Sequence, residues 1–184
     1  MNVVFLDRDD TLNPDSGYMN DPALVRILPG VVEGLTTLMK QNYHFVVLTN
    51  QSGISRGLIT YEQLESVNRR LLALLESSGV PILDLFFCPH IDSDGCNCRK
   101  PNPGLIWQAL NRYPDTDLNH SWIIGDRYRD VATGLQPSKD NLNLSIRGIL
   151  VGQRPQEGQP PSNLLYSAKD LNEAAQFILK TDPQ

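Results

Sequence analysis

What most limits the fold open to this chain is a set of five short apolar runs, each ending at a polar or glycine position. Val3–Leu6 ends at Asp7, Phe45–Leu48 at Thr49, Ile82–Phe87 at Cys88, Trp122–Ile124 at Gly125-Asp126 and Ile149–Val151 at Gly152. Continuous runs of this length, rich in β-branched and aromatic residues, suit strands buried on both faces, as in a parallel sheet. Helical patterns lie between them. Gly30–Asn42 places Val31, Leu35 and Leu38 on one face. Tyr61–Ser77 spaces Leu64, Val67, Leu71, Leu74 and Leu75 helically behind Thr60, an N-cap type. Pro103–Tyr113 opens with a proline, which a first turn tolerates, and Leu171–Leu179 gives a last short helix. Strands alternating with helices predict right-handed βαβ units, hence an α/β fold with a doubly wound, Rossmann-like parallel sheet. Ligands of such sheets bind beyond the carboxyl ends of the strands, so Asp7, Thr49 and Asp126 are predicted to share one site.

A length of 184 residues suits a single domain, 1–184, with a real core. The net charge of −5 argues against a nucleic-acid or anionic-membrane partner but leaves room for a small anion met by local cations. No apolar run approaches the roughly 20 residues of a membrane helix. The first run is too short for a signal peptide, so a cytoplasmic location is expected. No unpaired apolar stripe stands out, which predicts a monomer. The segment Arg154–Asn163, rich in Pro, Gln and Gly, reads as an exposed connection. Only 38 residues separate Thr49 from Cys88, and they read as one loop, one helix and one strand, so no large cap domain is expected.

The cysteines are three, Cys88, Cys96 and Cys98, all within eleven residues. An odd count so tightly packed is a poor disulfide framework. With His90 they make Cys-x-His and Cys-x-Cys pairs separated by a turn containing Gly95. Four such ligands are the set for a closed tetrahedral Zn²⁺ site, and a closed site is structural. The alternative is a loop of free thiols. Arg99-Lys100 follows the last ligand directly, so folding of loop 88–98 around zinc would fix where these two cations point.

Asp7-Arg8-Asp9-Asp10-Thr11 follows the first run. Residues i and i+2 of an extended segment point to the same side, so Asp7 and Asp9 can meet one substrate. One carboxylate could attack phosphorus, while the other, its proton held more tightly by its anionic neighbour, could protonate the leaving group. A solvated acidic turn is the plainer alternative.

Taken in order, Asp7-Arg8-Asp9-Asp10-Thr11, Thr49-Asn50, Lys100 and Gly125-Asp126 with Asp130 resemble the four signatures of the haloacid-dehalogenase (HAD) superfamily of phosphatases. The resemblance implies Asp7 as nucleophile and Asp9 as general acid and then base. It implies Thr49 as a phosphoryl-oxygen ligand and Lys100 as the cation beside Asp7. Asp126 would bind Mg²⁺ together with Asp7 and the backbone carbonyl of Asp9. Mg²⁺ takes hard oxygen ligands, and with Lys100 and Arg99 it would offset the repulsion between phosphate and carboxylate. Asp130 could bind metal-bound water, orient Lys100, or be a surface helix carboxylate.

Thr49-Asn50-Gln51-Ser52-Gly53-Ile54-Ser55-Arg56-Gly57, Cys88-Pro89-His90, Cys96-x-Cys98-Arg99-Lys100-Pro101 and Gly125-Asp126-Arg127 narrow the resemblance. They look like the D-glycero-D-manno-heptose 1,7-bisphosphate phosphatases, with the histidinol-phosphate phosphatases as a related branch. That implies Mg²⁺-dependent hydrolysis of the C7 phosphate of a heptose bisphosphate, an intermediate of surface-polysaccharide synthesis. Histidinol phosphate, or a silent phospho-ligand-binding role, stands as the alternative. The implied substrate site is Asp15, Ser16, Gly17, Tyr18, Thr49, Asn50, Gln51, Ser52, Arg99, Lys100 and Arg127. Asp15–Gly17 is also a good turn sequence, Tyr18 could be half-buried packing, and Arg56 and Arg127 could be exposed charges. Asp10 stands where heptose phosphatases usually have Gly, so the loop geometry could differ if that Gly used positive φ. The zinc loop and the Asn13–Asn20 loop are the only lids expected. Ser138–Ser145 matches nothing in the pattern. His44, His120, Trp107 and Trp122 read as packing or surface residues rather than catalytic ones.

Overall fold

Among the described residues, the five apolar runs and one further edge strand form a six-stranded sheet in which every pairing is parallel, in the order β3-β2-β1-β4-β5-β6. A computed structural model describes residues 1–15, 17–135, 137 and 145–182. The strands are β1 (Asn2–Leu6), β2 (Tyr43–Asn50), β3 (Asp84–Cys88), β4 (Trp122–Gly125), β5 (Arg147–Val151) and β6 (Leu164–Ala168). The helices are α1 (Val31–Met39), α2 (Tyr61–Ser77), α3 (Gly104–Arg112), α4 (Tyr128–Ala132) and α5 (Leu171–Thr181).

Alternating side chains divide the strands between two cores. Val4 and Leu6 of β1, Phe45 and Val47 of β2, and Trp122 and Ile124 of β4 pack on the side of α1, α2 and α5. Val3, Phe5, Val46, Leu48 and Ile123 pack on the opposite side with Leu105, Ile106 and Ala109 of α3. Helices therefore cover both faces, which is why the strands read as continuous apolar runs. Thr60 caps α2 as the sequence predicts, with Gln63 completing a capping box.

The strand the sequence did not disclose is β6. Its burial alternates along an edge position, with Leu165 half exposed, so it carries no continuous apolar run. β2 also starts earlier than its apolar run, at Tyr43, because His44 faces solvent between two buried aromatics.

The chain moves outward from β1 through β2 to β3, then crosses to β4 on the other side of β1. That reversal opens a crevice beyond the carboxyl ends of β1 and β4. Register brings the functional positions level there: Leu6 pairs with Val47 and with Ile124, and Asn50 pairs with Cys88. Between β2 and β3 stand only a looped segment and α2, so no separate cap sits over the crevice. No helix among the described residues is long and apolar enough to cross a membrane.

Candidate active site

Asp7 leaves β1 with its backbone N–H still donating to the Ile124 carbonyl, at 2.9 Å, so its side chain starts from a fixed point of the sheet. Its carboxylate is buried and meets Lys100, whose Nζ donates to Asp7 Oδ1 at 2.5 Å. The same ammonium donates to the Leu48 carbonyl at 2.8 Å and pairs with Asp130 Oδ1 at 2.8 Å. Three acceptors thus use all three donors of a lysine that is 3% exposed. Burial alone would lower the Lys100 pKa, but Asp130 and Asp7 outweigh it and hold the ammonium charged.

The backbone of Lys100 is fixed from β2. Its N–H donates to Asn50 Oδ1 at 3.0 Å, and Asn50 Nδ2 donates to its carbonyl at 3.2 Å. Asp130 is no surface carboxylate: it is buried, and its Oδ2 accepts the Arg127 N–H at 3.0 Å, tightening the start of α4. A side chain at Gly125 would press on Asp130, its Cβ falling 2.4 Å from the Asp130 Cβ. Glycine at this strand end is therefore a packing requirement of the Lys100 partner.

Asp126 completes a triad of buried carboxylates with Asp7 and Asp130, one oxygen from each lying within 4.8 Å of the others. Burial first, then the neighbouring charges of Asp7 and Asp130, pushes the Asp126 pKa up to about 7. Burial likewise lifts Asp7 to about 7 against the pull of Lys100. Asp126 Oδ2 is buried and accepts no hydrogen bond, its nearest cation being the Arg154 guanidinium, whose Nε lies 3.2 Å away. Three buried carboxylates beside one buried ammonium leave a surplus of hard anionic oxygens that fits a divalent cation such as Mg²⁺.

Asp9 is held differently. Arg8, itself 1% exposed, donates to both its oxygens at 2.9 Å, and Gln51 Nε2 adds a third donor at 2.7 Å. Gln51 Nε2 also reaches Thr49 Oγ1 at 2.8 Å, so the side chains of β1 and β2 meet across the crevice. The cleft itself is about 290 Å³ and is lined by the Asp7–Asp10 turn, Asp15, Gly17, Tyr18, Asn50–Ser52, Asp126, Arg127, Arg129, Asp130 and Arg154.

Beside it, the four residues of the cysteine cluster converge. Cys88 Sγ lies 3.1 Å from Cys98 Sγ and 3.6 Å from Cys96 Sγ, Cys96 and Cys98 are 3.5 Å apart, and His90 Nδ1 is 3.2 Å from Cys98 Sγ. Ligands of a tetrahedral zinc, with Zn–S near 2.3 Å, sit about 3.7 Å from one another. The set therefore fits Zn²⁺ with little adjustment. The loop is joined to the cleft-lining segment after β2 through the Gln51 N–H, which donates to the Cys88 carbonyl at 2.7 Å.

Comparison with known proteins gives this geometry a family. Residues 2–140 match the family described as Polynucleotide kinase 3 phosphatase. A D-glycero-beta-D-manno-heptose-1,7-bisphosphate 7-phosphatase of Yersinia pestis is 36% identical over 182 residues, covering 94% of each chain. The crystal structure of a D,D-heptose 1,7-bisphosphate phosphatase from B. bronchiseptica, complexed with magnesium and phosphate, superposes with a TM-score of 0.83 at 30% identity, covering 98% of this chain and 99% of that one. The chain belongs to the heptose-bisphosphate phosphatase family of HAD phosphatases. A HAD-like phosphatase from Mesorhizobium loti shares the fold at a TM-score of 0.77 and 31% identity, covering 98% of this chain and 85% of that one.

In this HAD phosphatase, Asp7, Asp9 and Asp126 line the cleft with Asp15, Gly17, Tyr18, Asn50, Gln51, Ser52 and Arg127 around them, and Lys100, outside the lining, joins them through Asp7. Ser16 lies outside the described residues. Asp15 does form the turn its sequence suggests, accepting the Gly17 N–H at 2.7 Å, yet it still lines the cleft. Tyr18 is 43% exposed and lines the cleft, and it is also half-buried packing: its ring covers Gly53 so closely that a Cβ there would fall 2.7 Å from it. Arg99 is turned away from the cleft: its Nε donates to Asp92 at 2.6 Å and its Nη1 to the His90 carbonyl at 3.1 Å. The Gly-to-Asp departure leaves the loop intact, because Asp10 itself adopts φ 57° and steadies that conformation by accepting the Asp15 N–H at 2.8 Å.

Arg154 and Gln156 are site residues that the sequence reading placed in an exposed connection. Arg154 pairs with Asp10, and Gln156 Nε2 donates to the Asp126 carbonyl at 2.8 Å. The strand-end rule could have found them, since they follow the Ile149–Val151 run as Asp7 follows Val3–Leu6. At the other end of the same connection Asn163 is buried, donating to the Val131 and Ile146 carbonyls at 2.8 Å.

Proposed function

We propose that this phosphatase removes the C7 phosphate of D-glycero-D-manno-heptose 1,7-bisphosphate through an aspartyl-phosphate on Asp7. The observation that carries the reading is the buried Asp7–Lys100–Asp130 contact beside the buried Asp126 carboxylate at the sheet switch point. The names and coverage of the similar proteins support the substrate class.

In the first half-reaction an Asp7 oxygen bonds to phosphorus and the bond from phosphorus to the sugar C7 oxygen breaks. Asp9, aimed by Arg8 and Gln51, gives that oxygen its proton. In the second, Asp9 takes a proton from water as the water oxygen attacks phosphorus, and the Asp7 carboxylate is restored. Lys100 stays with Asp7 throughout, lowering the cost of bringing a phosphate dianion to a carboxylate, while Thr49 donates its hydroxyl to a phosphoryl oxygen. Asp7, Asp126 and the Asp9 carbonyl would hold Mg²⁺, which supplies charge neutralisation for the phosphoryl oxygens. Cys88, His90, Cys96 and Cys98 would hold a structural Zn²⁺ that fixes the start of the Arg99-Lys100 segment, with Arg99 available to substrate if it leaves Asp92. The enzyme works as a cytoplasmic monomer on this reading.

The test is phosphate release, with Mg²⁺, from the α and β anomers of heptose 1,7-bisphosphate and from histidinol phosphate in parallel. A heptose anomer should give the highest kcat/KM. Preference for histidinol phosphate would overturn the substrate and leave the chemistry. Asp7→Asn should abolish turnover while leaving the fold and zinc content unchanged; turnover near wild type would remove Asp7 from its role.

A further inference from the structure

Two features of the cleft are not used by this chemistry: the aspartate at position 10 and the arginine that meets it across 144 positions of chain. Arg154 leaves the loop after β5, bonds Asp10 Oδ2 and places its Nε 3.2 Å from Asp126 Oδ2. Its backbone is pinned. Gln156 Nε2 donates to both the Arg154 and Asp126 carbonyls at 2.8 Å, and Gln156 Oε1 accepts the Tyr128 N–H at 2.9 Å. The loop is thus stitched to the corner between β4 and α4, and its guanidinium lies across the cleft. Arg127 and Arg129 line the same cleft.

The site therefore has cations at two depths. Lys100 is sealed beneath Asp7 with every donor engaged, whereas the side chains of Arg154 and Arg127 are 31% and 39% exposed at the rim. A phosphoryl group on its way to Asp7 is served by the deep set. The rim set meets whatever part of the ligand projects outward. A guanidinium has donors on several edges, so one edge can stay on Asp10 while another faces a phosphate. Asp10 keeps the arginine from folding away into solvent, and it does so at a position where the left-handed backbone aims its carboxylate at the loop.

We propose that Arg154, positioned by Asp10 and flanked by Arg127 and Arg129, binds the second phosphate of a sugar bisphosphate at the mouth of the cleft. This deepens the proposed function and rests on it for the identity of the sugar.

The experiment measures binding by calorimetry in an Asp7→Asn background with Mg²⁺, where ligand is not consumed. The ligands are heptose 1,7-bisphosphate and heptose 7-phosphate. The bisphosphate should bind at least about tenfold more tightly, the scale of one charge-assisted contact. Adding Arg154→Gln should erase most of that advantage. Adding Asp10→Gly, which tolerates the positive φ, should reduce it in the same direction, with no further loss when combined with Arg154→Gln. Three results would overturn the proposal: no advantage for the bisphosphate, an advantage that survives Arg154→Gln, or equal weakening of both ligands, which would make Arg154 a neutraliser of Asp126 alone. Failure of the substrate reading looks different. There the wild-type enzyme releases no phosphate from the heptose bisphosphate although the binding advantage and its dependence on Arg154 are intact.

Discussion

Asn68 sits on α2, outside the catalytic cleft, yet it ends a line of contacts that reaches Asp9. Its Oδ1 accepts Arg8 Nη1 at 2.8 Å, and Arg8 gives Nε and Nη2 to the Asp9 carboxylate. With Arg8 buried, removal of that acceptor would leave a charged donor unsatisfied and free the guanidinium to turn, carrying Asp9 with it. Asn68→Leu is therefore expected to lower kcat about 10- to 100-fold with little change in KM, and Asn68→Asp, which restores an acceptor, to recover most of it. A loss of thermal stability with kcat unchanged would limit Asn68 to a structural role. The aspartates at 7 and 9 were legible in the sequence because they follow an apolar run at a spacing of two. Arg8 and Asn68 were not, because their partnership joins a strand end to the middle of a helix and leaves no local pattern. Asp130 shows the same limit from another side. Three readings were open for it; burial against Gly125 removes the surface carboxylate, and the contact with Lys100 fits the orienting one.

Most strands and helices were readable because each is buried on a face that its own periodicity advertises. The exceptions are instructive. β6 is an edge strand with every second residue exposed, and the segment from Arg154 to Asn163 has a turn-like composition although both its ends are held by long-range polar contacts. Composition reports solvent preference averaged over a segment, and here two or three residues set its position. The cysteine loop is the opposite case, since all its candidate zinc ligands lie in one short stretch. It is joined to the candidate site by continuity: Cys98 is two residues before Lys100, and Asn102 Nδ2 donates back to the Cys96 carbonyl at 2.8 Å, closing the loop on itself. Burial pushes the Cys88 thiol well above its ordinary range, so a cation beside it is what would hold this sulfur as thiolate. Cys98→Ser is expected to cut zinc content, measured by metal analysis of the purified protein, and to lower Tm, with activity lost in step as Lys100 loses its anchor. Full zinc occupancy and Tm with only kcat reduced would contradict a structural role.

At the scale of the whole molecule the sheet has two ends with different duties. The candidate active site occupies the carboxyl end, and the amino end is closed by the residue that follows α5. Asp182, just past α5, accepts Arg147 Nη2 at 2.6 Å and the Tyr43 hydroxyl at 3.0 Å, tying the first residues of β5 and β2 together. Arg147 also lies over the Trp122 ring, 4.2 Å from its centroid, and Phe177 of α5 meets that ring edge-on. Although burial alone would raise the Asp182 pKa, the Arg147 and Tyr43 contacts outweigh it and hold the group below its ordinary value. Burial, reinforced by Asp182, pushes the Tyr43 hydroxyl up to about 12. The signs are opposite. A depressed carboxylate contributes stability above its unfolded pKa near 4 and loses it as pH falls through the lower folded value. A raised phenol contributes below about 10 and loses it as pH rises through the higher folded value. The closure is therefore complete between about pH 5 and pH 9 and weakens outside that window. Asp182→Asn should cost about 2 kcal/mol across the plateau, the scale of a hydrogen bond to a charged group, and lower Tm by a few degrees. Because wild-type Asp182 is itself protonated in strong acid, the gap between the two proteins should close as unfolding is followed below about pH 3. kcat at pH 7 should stay unchanged, since the contact lies at the other end of the strands from Asp7. A stability gap that stayed constant into acid would mean that Asp182 acts through packing rather than charge, and a fall in kcat would mean that the two ends of the sheet are mechanically coupled.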